Sequence, residues 1–305
     1  MTITQLEYLI AVSKHGSFTK ASEKCHVTQP TLSMQVQNLE EELKIKIFIR
    51  GTKPIQLTEL GKKVIEQADI IIREALKMKD IVSYEKNYIG GEFKLGIIPT
   101  ITTILSIFLK KFNKKYPNVN LKIIELNSDT LINQILTGDI DGGITSTPLN
   151  HDNINEIPLY YEPFVAYIPA KSKLSEIDNL KIEDLEYSSI LTLEESHCFA
   201  KQTSKIFKNI NQNFDFNIGN FETLIQLSDQ GFGITLLPVL YSKTLSEEKI
   251  KKLKYFEKPE PARQVSIIYS KNKLKSPIIN ALSNLIEHIS RTLIKPNDVK
   301  IISPK

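Results

Sequence analysis

Apolar residues within positions 4–43 recur every three or four residues, which is the spacing of one helix face. The pattern predicts a first helix that ends at His15-Gly16-Ser17 and a short helix over 18–24. After the turn His26-Val27-Thr28, a third helix begins at Thr28 or Gln29-Pro30, where proline is tolerated. Two helices joined by a three-residue turn are typical of a helix-turn-helix.

The next segment predicts a hairpin and a long helix. Two short apolar strands, 46–50 and 54–57, flank a basic turn. A narrow apolar stripe with helical spacing then runs from Leu60 to Ile81 between charged flanks. Such a stripe favours a helix that pairs with a second copy of the chain. Tyr88-Ile89-Gly90-Gly91 ends this helix and forms a flexible joint.

Strands and helices alternate from residue 92 onward. This alternation predicts a parallel sheet with helices on its faces, divided into two α/β subdomains between which the chain crosses near 161 and 264. We expect strands over 93–98, 121–126, 142–145, 163–168, 188–193, 214–220, 233–237 and 264–269, and helices over 101–115, 129–137, 197–211, 221–230 and 276–293.

Length and composition narrow the class of protein. A chain of 305 residues suits two domains, and 41% hydrophobic with 24% charged residues is ordinary for a soluble protein. No stretch approaches the roughly 18 to 20 apolar residues of a membrane helix. The N-terminus has no basic segment followed by an apolar run, so we expect a cytoplasmic protein without a membrane partner. The net charge of +4 permits contact with nucleic acid without requiring it.

The cysteines and histidines indicate neither a disulfide framework nor a metal site. The two cysteines, Cys25 and Cys198, cannot form a disulfide framework. The five histidines show no spacing typical of a metal site. We therefore predict neither a metal nor a cofactor.

The first 61 residues carry an ordered series of motifs. They are Ala11-Val12, His15-Gly16-Ser17-Phe18-Thr19-Lys20-Ala21-Ser22, Val27-Thr28-Gln29-Pro30-Thr31-Leu32-Ser33, Leu39-Glu40-Glu41-Glu42-Leu43, Phe48-Ile49-Arg50 and Leu57-Thr58-Glu59-Leu60-Gly61. This series resembles the LysR-type transcriptional regulators. The resemblance implies an all-α winged helix-turn-helix, a long linker helix, and a two-lobed α/β effector domain like a periplasmic binding protein.

The resemblance also implies domain roles and partners. Residues 1–58 would bind double-stranded DNA, 59–90 would form the linker and dimerisation helix, and 91–305 would be the effector domain. Lobe I would comprise 91–161 and 265–300, and lobe II 162–264. The expected assembly is a homodimer or homotetramer on a promoter, with RNA polymerase as a further partner. The protein would be a regulator and not an enzyme.

Polar side chains near the helix-turn-helix are the expected DNA contacts. Those at the start of the third helix would read base edges, hydroxyls at helix starts would contact phosphates, and the basic wing tip would contact the backbone or the minor groove. The family often has arginine where Lys53 stands, so Lys53 would read groove shape less well. Glu40, Glu41 and Glu42 should point away from DNA. The expected contacts are Ser17, Thr28, Gln29, Thr31, Ser33, Gln35, Arg50 and Lys53.

Further motifs lie in the effector region and in the helix-turn-helix. They are 95–100, Glu195-Ser196-His197-Cys198, 222–224, 231–238, Lys258-Pro259-Glu260-Pro261-Ala262-Arg263 and 23–33. These motifs resemble the peroxide-sensing members of the family. The resemblance implies that Cys198 is the peroxidatic cysteine, that His197, Thr100 and Ser128 line the peroxide pocket, and that Arg263 stabilises the thiolate. The position of Ser128 usually holds threonine.

One residue departs from that pattern. The peroxide sensors have a resolving cysteine nine residues after the first, and this chain has Phe207 there. An oxidised Cys198 would then persist as sulfenic acid, be capped by a small thiol, or react with another subunit. Cys25 lies on the inner face of the predicted second helix and is expected to pack in the core.

Other functions remain open at this point. A small metabolite bound between the lobes, with Cys198 lining the cleft, is the main alternative effector to hydrogen peroxide. A solute-binding protein would need an export signal, and a cysteine enzyme would need a base beside its thiol. Both fit poorly with an N-terminal helix-turn-helix. The chain's role as activator or repressor is also open.

Overall fold

The computed structural model describes residues 1–49, 51–52, 54–85, 89–185, 188–207, 218–271, 277–294 and 298–304, and for residues 73 and 76–85 only the backbone. They belong to two compact units, Met1–Lys86 and Asn87–Lys305. The predicted DNA contacts Arg50 and Lys53 and most of the predicted strand 214–220 lie outside the described residues. Within the described part, no helix is both long and apolar enough to cross a membrane.

The first unit is a helix-turn-helix with a small hairpin and a long helix. The second and third helices begin where the sequence predicts, because Ser17 and Thr28 cap them, and Thr2 caps the first helix. Each of the three side chains accepts a hydrogen bond from a backbone N–H of the first turn. The antiparallel hairpin means that the unit is not all-α. The elements are α1 Ile3–His15, α2 Phe18–Lys24, α3 Gln29–Glu42, β1 Phe48–Ile49, β2 Gln56–Leu57 and α4 Glu59–Glu85.

The apolar stripe of α4 does not all face outward. Val64, Ala68 and Ile71 pack against the core of the first unit, which α1 and α3 supply with residues such as Leu9 and Leu32. The stripe is narrow, and the unit's own core occupies much of it. Among the side chains of α4 that the structure describes, Leu60 and Ile70 are large apolar side chains that remain exposed.

The second unit alternates strands and helices as predicted, with additional short elements. The predicted helix 197–211 is described over Cys198–Ile206, and the strands β7, β10 and β12 and the short helices α9 and α10 were not predicted. The elements are β3 Gly91–Ile97, α5 Thr102–Lys115, β4 Val119–Glu125, α6 Ser128–Thr137, β5 Gly142–Thr147, β6 Ile154–Tyr167, β7 Asn179–Leu180, β8 Ile190–Leu191, α7 Cys198–Ile206, α8 Phe221–Asp229, β9 Ile234–Pro238, α9 Val239–Ser242, α10 Glu247–Ile250, β10 Leu253–Phe256, β11 Glu260–Ser270, α11 Pro277–Leu293 and β12 Val299–Ile301.

The sheet of this unit is mixed, which corrects the expectation of a parallel sheet. The main path runs β4-β3-β5-β11-β6-β10-β7. Strand β3 pairs in parallel with β4 and β5, but β11 pairs antiparallel with both β5 and β6. The segments near 161 and 264, expected to be crossings between subdomains, are parts of the long strands β6 and β11, and Ala262 pairs with Pro163.

Two hydrophobic cores lie along these shared strands. We call the cluster that contains Leu95, Phe108 and Ile267 the first core, and the cluster that contains Phe164, Phe199 and Leu236 the second core. Tyr160 belongs to the first core and Phe164 to the second, so one strand contributes to both. Polar residues lie on β6 and β11 between these positions.

A buried carboxylate fixes α3 to the hairpin of the first unit. Glu40 is almost fully buried, and its Oε1 accepts hydrogen bonds from the backbone N–H groups of Ile47 and Phe48 at 2.7 and 3.2 Å. Lys46 Nζ lies 3.9 Å from Glu40 Oε2. Glu40 is therefore a structural residue, whereas Glu41 and Glu42 are exposed.

We predict that Glu40→Ala lowers the free energy of unfolding of the first unit by about 3 kcal/mol, because two buried N–H groups lose their acceptor. Urea denaturation of the full chain, followed by circular dichroism, measures the change. Glu41→Ala is the matched control, since that side chain is exposed and bonds only Gln37 among the contacts described. Equal stability of the two variants would contradict the role assigned to Glu40.

Candidate functional site

A buried ion pair lies between the two cores. Arg263 on β11 and Glu162 on β6 are register partners, and both side chains are almost completely buried. Arg263 Nε and Nη2 donate to Glu162 Oε2 at 2.9 and 2.8 Å, and the backbone N–H of Leu240 donates to Glu162 Oε1 at 3.0 Å. A buried charge needs such partners, since removal from water costs several kcal/mol per ion.

Thr100 completes the environment of the guanidinium. It lies in the 3-10 turn Pro99–Ile101 that follows β3. Arg263 Nη1 donates to Thr100 Oγ1 at 2.7 Å, and Nη2 donates to the Thr100 carbonyl oxygen at 2.8 Å. Because Thr100 Oγ1 accepts from the arginine, its own hydrogen remains for another acceptor. The guanidinium also lies over the ring of Phe199, 5.5 Å from its centroid.

Cys198 lies at the same junction. It is the first residue of α7 and is buried, with 4% of its surface exposed. Its side chain belongs to the first core, whereas the next residue, Phe199, belongs to the second. A helix N-terminus favours an anionic sulfur over a neutral one.

Electrostatics connect Cys198 to the ion pair. Burial lowers the pKa of Arg263, but the nearby groups Glu162, Tyr160 and Cys198 raise it, and the net direction is upward. Arg263 therefore stays charged, and Cys198 lies within range of its field. The positive charge is nevertheless shared with Glu162, which sequence reasoning did not include.

The remaining predicted pocket residues have other described contacts. Ser128 begins α6, and its Oγ lies 3.4 Å from Thr145 Oγ1. His197 precedes α7, and its Nε2 lies 3.6 Å from Glu194 Oε1. Lys201 on α7 contacts Asp129 on α6, with 3.4 Å between Nζ and Oδ2, so the helices that carry Cys198 and Ser128 are neighbours.

Sequence reasoning missed Glu162 and Tyr160. Both lie on β6, where the run Pro158 to Tyr167 otherwise reads as a buried strand. A carboxylate in such a run is a signal, since a buried charge requires a partner. The candidate partner, Arg263, is a hundred positions later, and only the pairing of β6 with β11 brings them together.

Cys25, the other thiol, and Phe207, at the position of the resolving cysteine, both lie in packed parts of their units. Burial, and then the charge of Glu7, raise the pKa of Cys25, which leaves less of the reactive thiolate. Phe207 follows α7 and is buried in the second core. Among the described residues, no cluster of three or more histidine, cysteine or carboxylate side chains is arranged to hold a metal ion.

Of the predicted DNA contacts that the structure describes, Ser17 caps α2, Thr28 caps α3, and Gln29, Thr31, Ser33 and Gln35 lie in the first half of α3. Gln29 and Thr31 are exposed there. Thr28 Oγ1 lies 2.8 Å from Thr31 Oγ1, and Gln35 Oε1 accepts a bond from Gln5 at 3.1 Å. Gln29 is thus an exposed polar side chain at the N-terminal end of α3, and α3 is the helix that would enter a major groove.

We predict that Glu162→Gln lowers the free energy of unfolding of the second unit by about 3 kcal/mol, because Arg263 keeps its charge without a balancing anion. Denaturant titration of the full chain measures the loss. Glu156→Gln on the same strand is the control, since Glu156 is only half-buried and bonds the backbone N–H of Leu149. Similar losses in both variants would rule out a special contribution of the buried pair.

Comparisons with known proteins agree with these two units. The helix-turn-helix model of bacterial regulatory proteins of the lysR family matches residues 3–62, and the LysR substrate binding domain model matches residues 86–291. The "Hydrogen peroxide-inducible genes activator" of Dickeya chrysanthemi is 30% identical over 275 residues, which cover 88% of this chain and 89% of that protein. OxyR of Escherichia coli K12, a "DNA-binding transcriptional dual regulator", is 29% identical, with 95% of each chain covered.

A solved structure has the same fold over nearly the whole chain. A full-length OxyR variant from Pseudomonas aeruginosa is 27% identical, covers 94% of both chains and superposes with a TM-score of 0.76. The two family models together span most of the sequence, including both units. The chain belongs to the LysR family of bacterial transcriptional regulators.

Proposed function

We propose that this LysR-type regulator senses hydrogen peroxide by oxidation of Cys198. The observation that carries the proposal is the placement of a buried cysteine at the start of α7, within electrostatic range of an arginine that also binds Thr100. Relatives that carry the name of peroxide-inducible activators support the same reading.

The chemistry is a two-electron oxidation of sulfur. The Cys198 thiolate attacks one oxygen of hydrogen peroxide, the S–O bond forms, and the O–O bond breaks. The second oxygen leaves as hydroxide and takes up one proton to become water. Thr100 is suited to donate a hydrogen bond to the bound peroxide, since its oxygen already accepts from Arg263. Ser128 and His197 are proposed as further pocket residues.

The oxidised sulfur is proposed to act without an intramolecular disulfide. Phe207 occupies the resolving position, and Cys25 belongs to the other compact unit and has a raised pKa. Three products are consistent with this arrangement: persistent sulfenic acid, a mixed disulfide with a small thiol, and a disulfide between subunits. Each adds bulk or polarity at a sulfur that packs in the first core beside the second.

The response is proposed to reach DNA through assembly. Allosteric coupling commonly amounts to about 1–3 kcal/mol. Residues Leu60 and Ile70 on α4 are exposed apolar side chains suited to pair two chains, which would place two α3 helices on successive DNA turns. Further contacts between effector domains would make a tetramer, and RNA polymerase would be the partner at the promoter.

We predict that Cys198→Ser abolishes the change in operator binding that peroxide causes and keeps binding itself, because serine lacks the oxidisable sulfur. Cys25→Ser is the matched control and should respond like the wild type. The measurement is intact mass before and after peroxide, together with DNA binding by fluorescence anisotropy. Wild-type protein that gains neither oxygen nor a thiol adduct nor a subunit crosslink at Cys198 would refute peroxide sensing.

We predict that Gln29→Ala reduces the preference for the selected operator over random DNA by about 1–2 kcal/mol, because a base-edge contact is lost. The operator is first selected from a random duplex library with the wild-type protein. Gln37→Ala, two turns later on α3 and exposed, is the control and should keep the preference. An unchanged preference in Gln29→Ala would remove this residue from base recognition.

A small metabolite is the second candidate effector. On the other face of β11, Gln264 Nε2 donates to Thr147 Oγ1 at 2.7 Å, and Thr147 and Ser266 are hydrogen-bonded. These polar side chains lie among buried strands and suit a small polar ligand. Thermal shift against a panel of metabolites, with Cys198→Ser protein, tests this alternative independently of oxidation.

A further inference from the structure

Two buried hydroxyl groups near the ion pair have no described partner. In the part of the chain that the structure describes, Tyr160 Oη and Ser146 Oγ are buried and make no hydrogen bond. More than nine in ten buried polar groups in native proteins are paired with protein or with an ordered molecule. A buried hydroxyl without a protein partner therefore marks a place where another polar atom, from an ordered molecule or from a modified side chain, can bind.

Strand register places both hydroxyl groups on the face of the sheet that carries Arg263. Val265 on β11 pairs with Ser146 on β5 and with Tyr160 on β6. Directly paired residues share a face, and so do residues two apart on one strand. Arg263 is two residues from Val265, and its partner Glu162 is two residues from Tyr160. The ion pair and the two hydroxyls therefore occupy one face.

The Tyr160 hydroxyl also lies within the electrostatic field of the pair. Burial, and then Glu162, raise the pKa of Tyr160, and Arg263 lowers it in part. The net direction is upward, so the phenol remains a neutral O–H donor. Tyr160 and Cys198 belong to the same hydrophobic core, and both lie within electrostatic range of Arg263.

We propose that Tyr160, assisted by Ser146, binds the oxygen atom that peroxide leaves on Cys198. The inference rests on the proposed oxidation of Cys198 and assigns the residues that receive its product. The Tyr160 O–H donates to the oxygen of the ionised sulfenic acid, and among the described residues no other acceptor competes for this donor.

The same bond protects the sulfur from a second oxidation. In that step the ionised sulfenic acid attacks another peroxide molecule, a second S–O bond forms, and the O–O bond breaks. The products are the sulfinate and one water molecule. A hydrogen bond to the first oxygen withdraws electron density from the sulfur and makes it a weaker nucleophile. Tyr160 therefore supplies a means of holding the single-oxygen product in a chain that has Phe207 in place of a resolving cysteine.

The test compares Tyr160→Phe with Tyr161→Phe. The first substitution removes only the buried, unpaired hydroxyl, so the fold should be preserved. The second removes the hydroxyl of the adjacent tyrosine, which is 46% exposed and pairs with Gln264, on the opposite face. Full-length proteins are treated with excess hydrogen peroxide, and intact mass follows the products with one and two added oxygens. Thermal unfolding verifies that the variants are equally folded.

We expect Tyr160→Phe to gain its first oxygen at a rate within about twofold of the wild type. The second oxygen should be added about tenfold faster, which is the scale of one hydrogen bond to a charged group. Ser146→Ala should show a smaller acceleration, and Tyr161→Phe none. If Tyr160→Phe adds both oxygens at wild-type rates, the inference is overturned. It is also overturned if the variant only adds its first oxygen more slowly. Absence of any added oxygen in the wild type would instead refute the proposed oxidation of Cys198.

Discussion

The buried pairing of Arg263 with Glu162 is the constraint on which the second unit depends. A guanidinium taken out of water must keep its hydrogen bonds, and here it binds one carboxylate, one hydroxyl and one carbonyl. Those groups come from β6 and from the turn after β3. The charge therefore fixes three distant segments relative to one another, at the point where the two cores meet.

The ion pair determines how much of the positive charge of Arg263 acts on Cys198. An unpaired arginine would attract any anion, whereas one that shares its charge with Glu162 has only part of its field available to Cys198. The N-terminus of α7 adds a second, weaker attraction for negative charge. The sulfur is thus surrounded by modest electrostatic influences in a mostly apolar setting.

Much of the fold followed from local patterns, and the site did not. Helix α2 was predicted at its observed bounds because Ser17 caps it and a turn ends it, both of which are local signals. The mixed sheet was missed because the pairing of Arg263 with Glu162 spans a hundred positions, and no periodicity reports it. Cys198, Thr100 and Arg263 were nominated by resemblance, and the structure places the latter two in contact. Glu162 and Tyr160 needed the register of β11, which fixes the faces of both neighbouring strands.

Continuity of β6 and β11 through both cores limits how the second unit can move. Lobes joined by loose connections open and close like a hinge, but two hydrogen-bonded strands form a ribbon that resists bending. The accessible motion of such a ribbon is a change of twist. The register shifts between Val265 and Ser266, opposite Tyr160, and such irregularities locally increase twist. A change of twist at that irregularity would become a larger displacement towards the two ends of the ribbon.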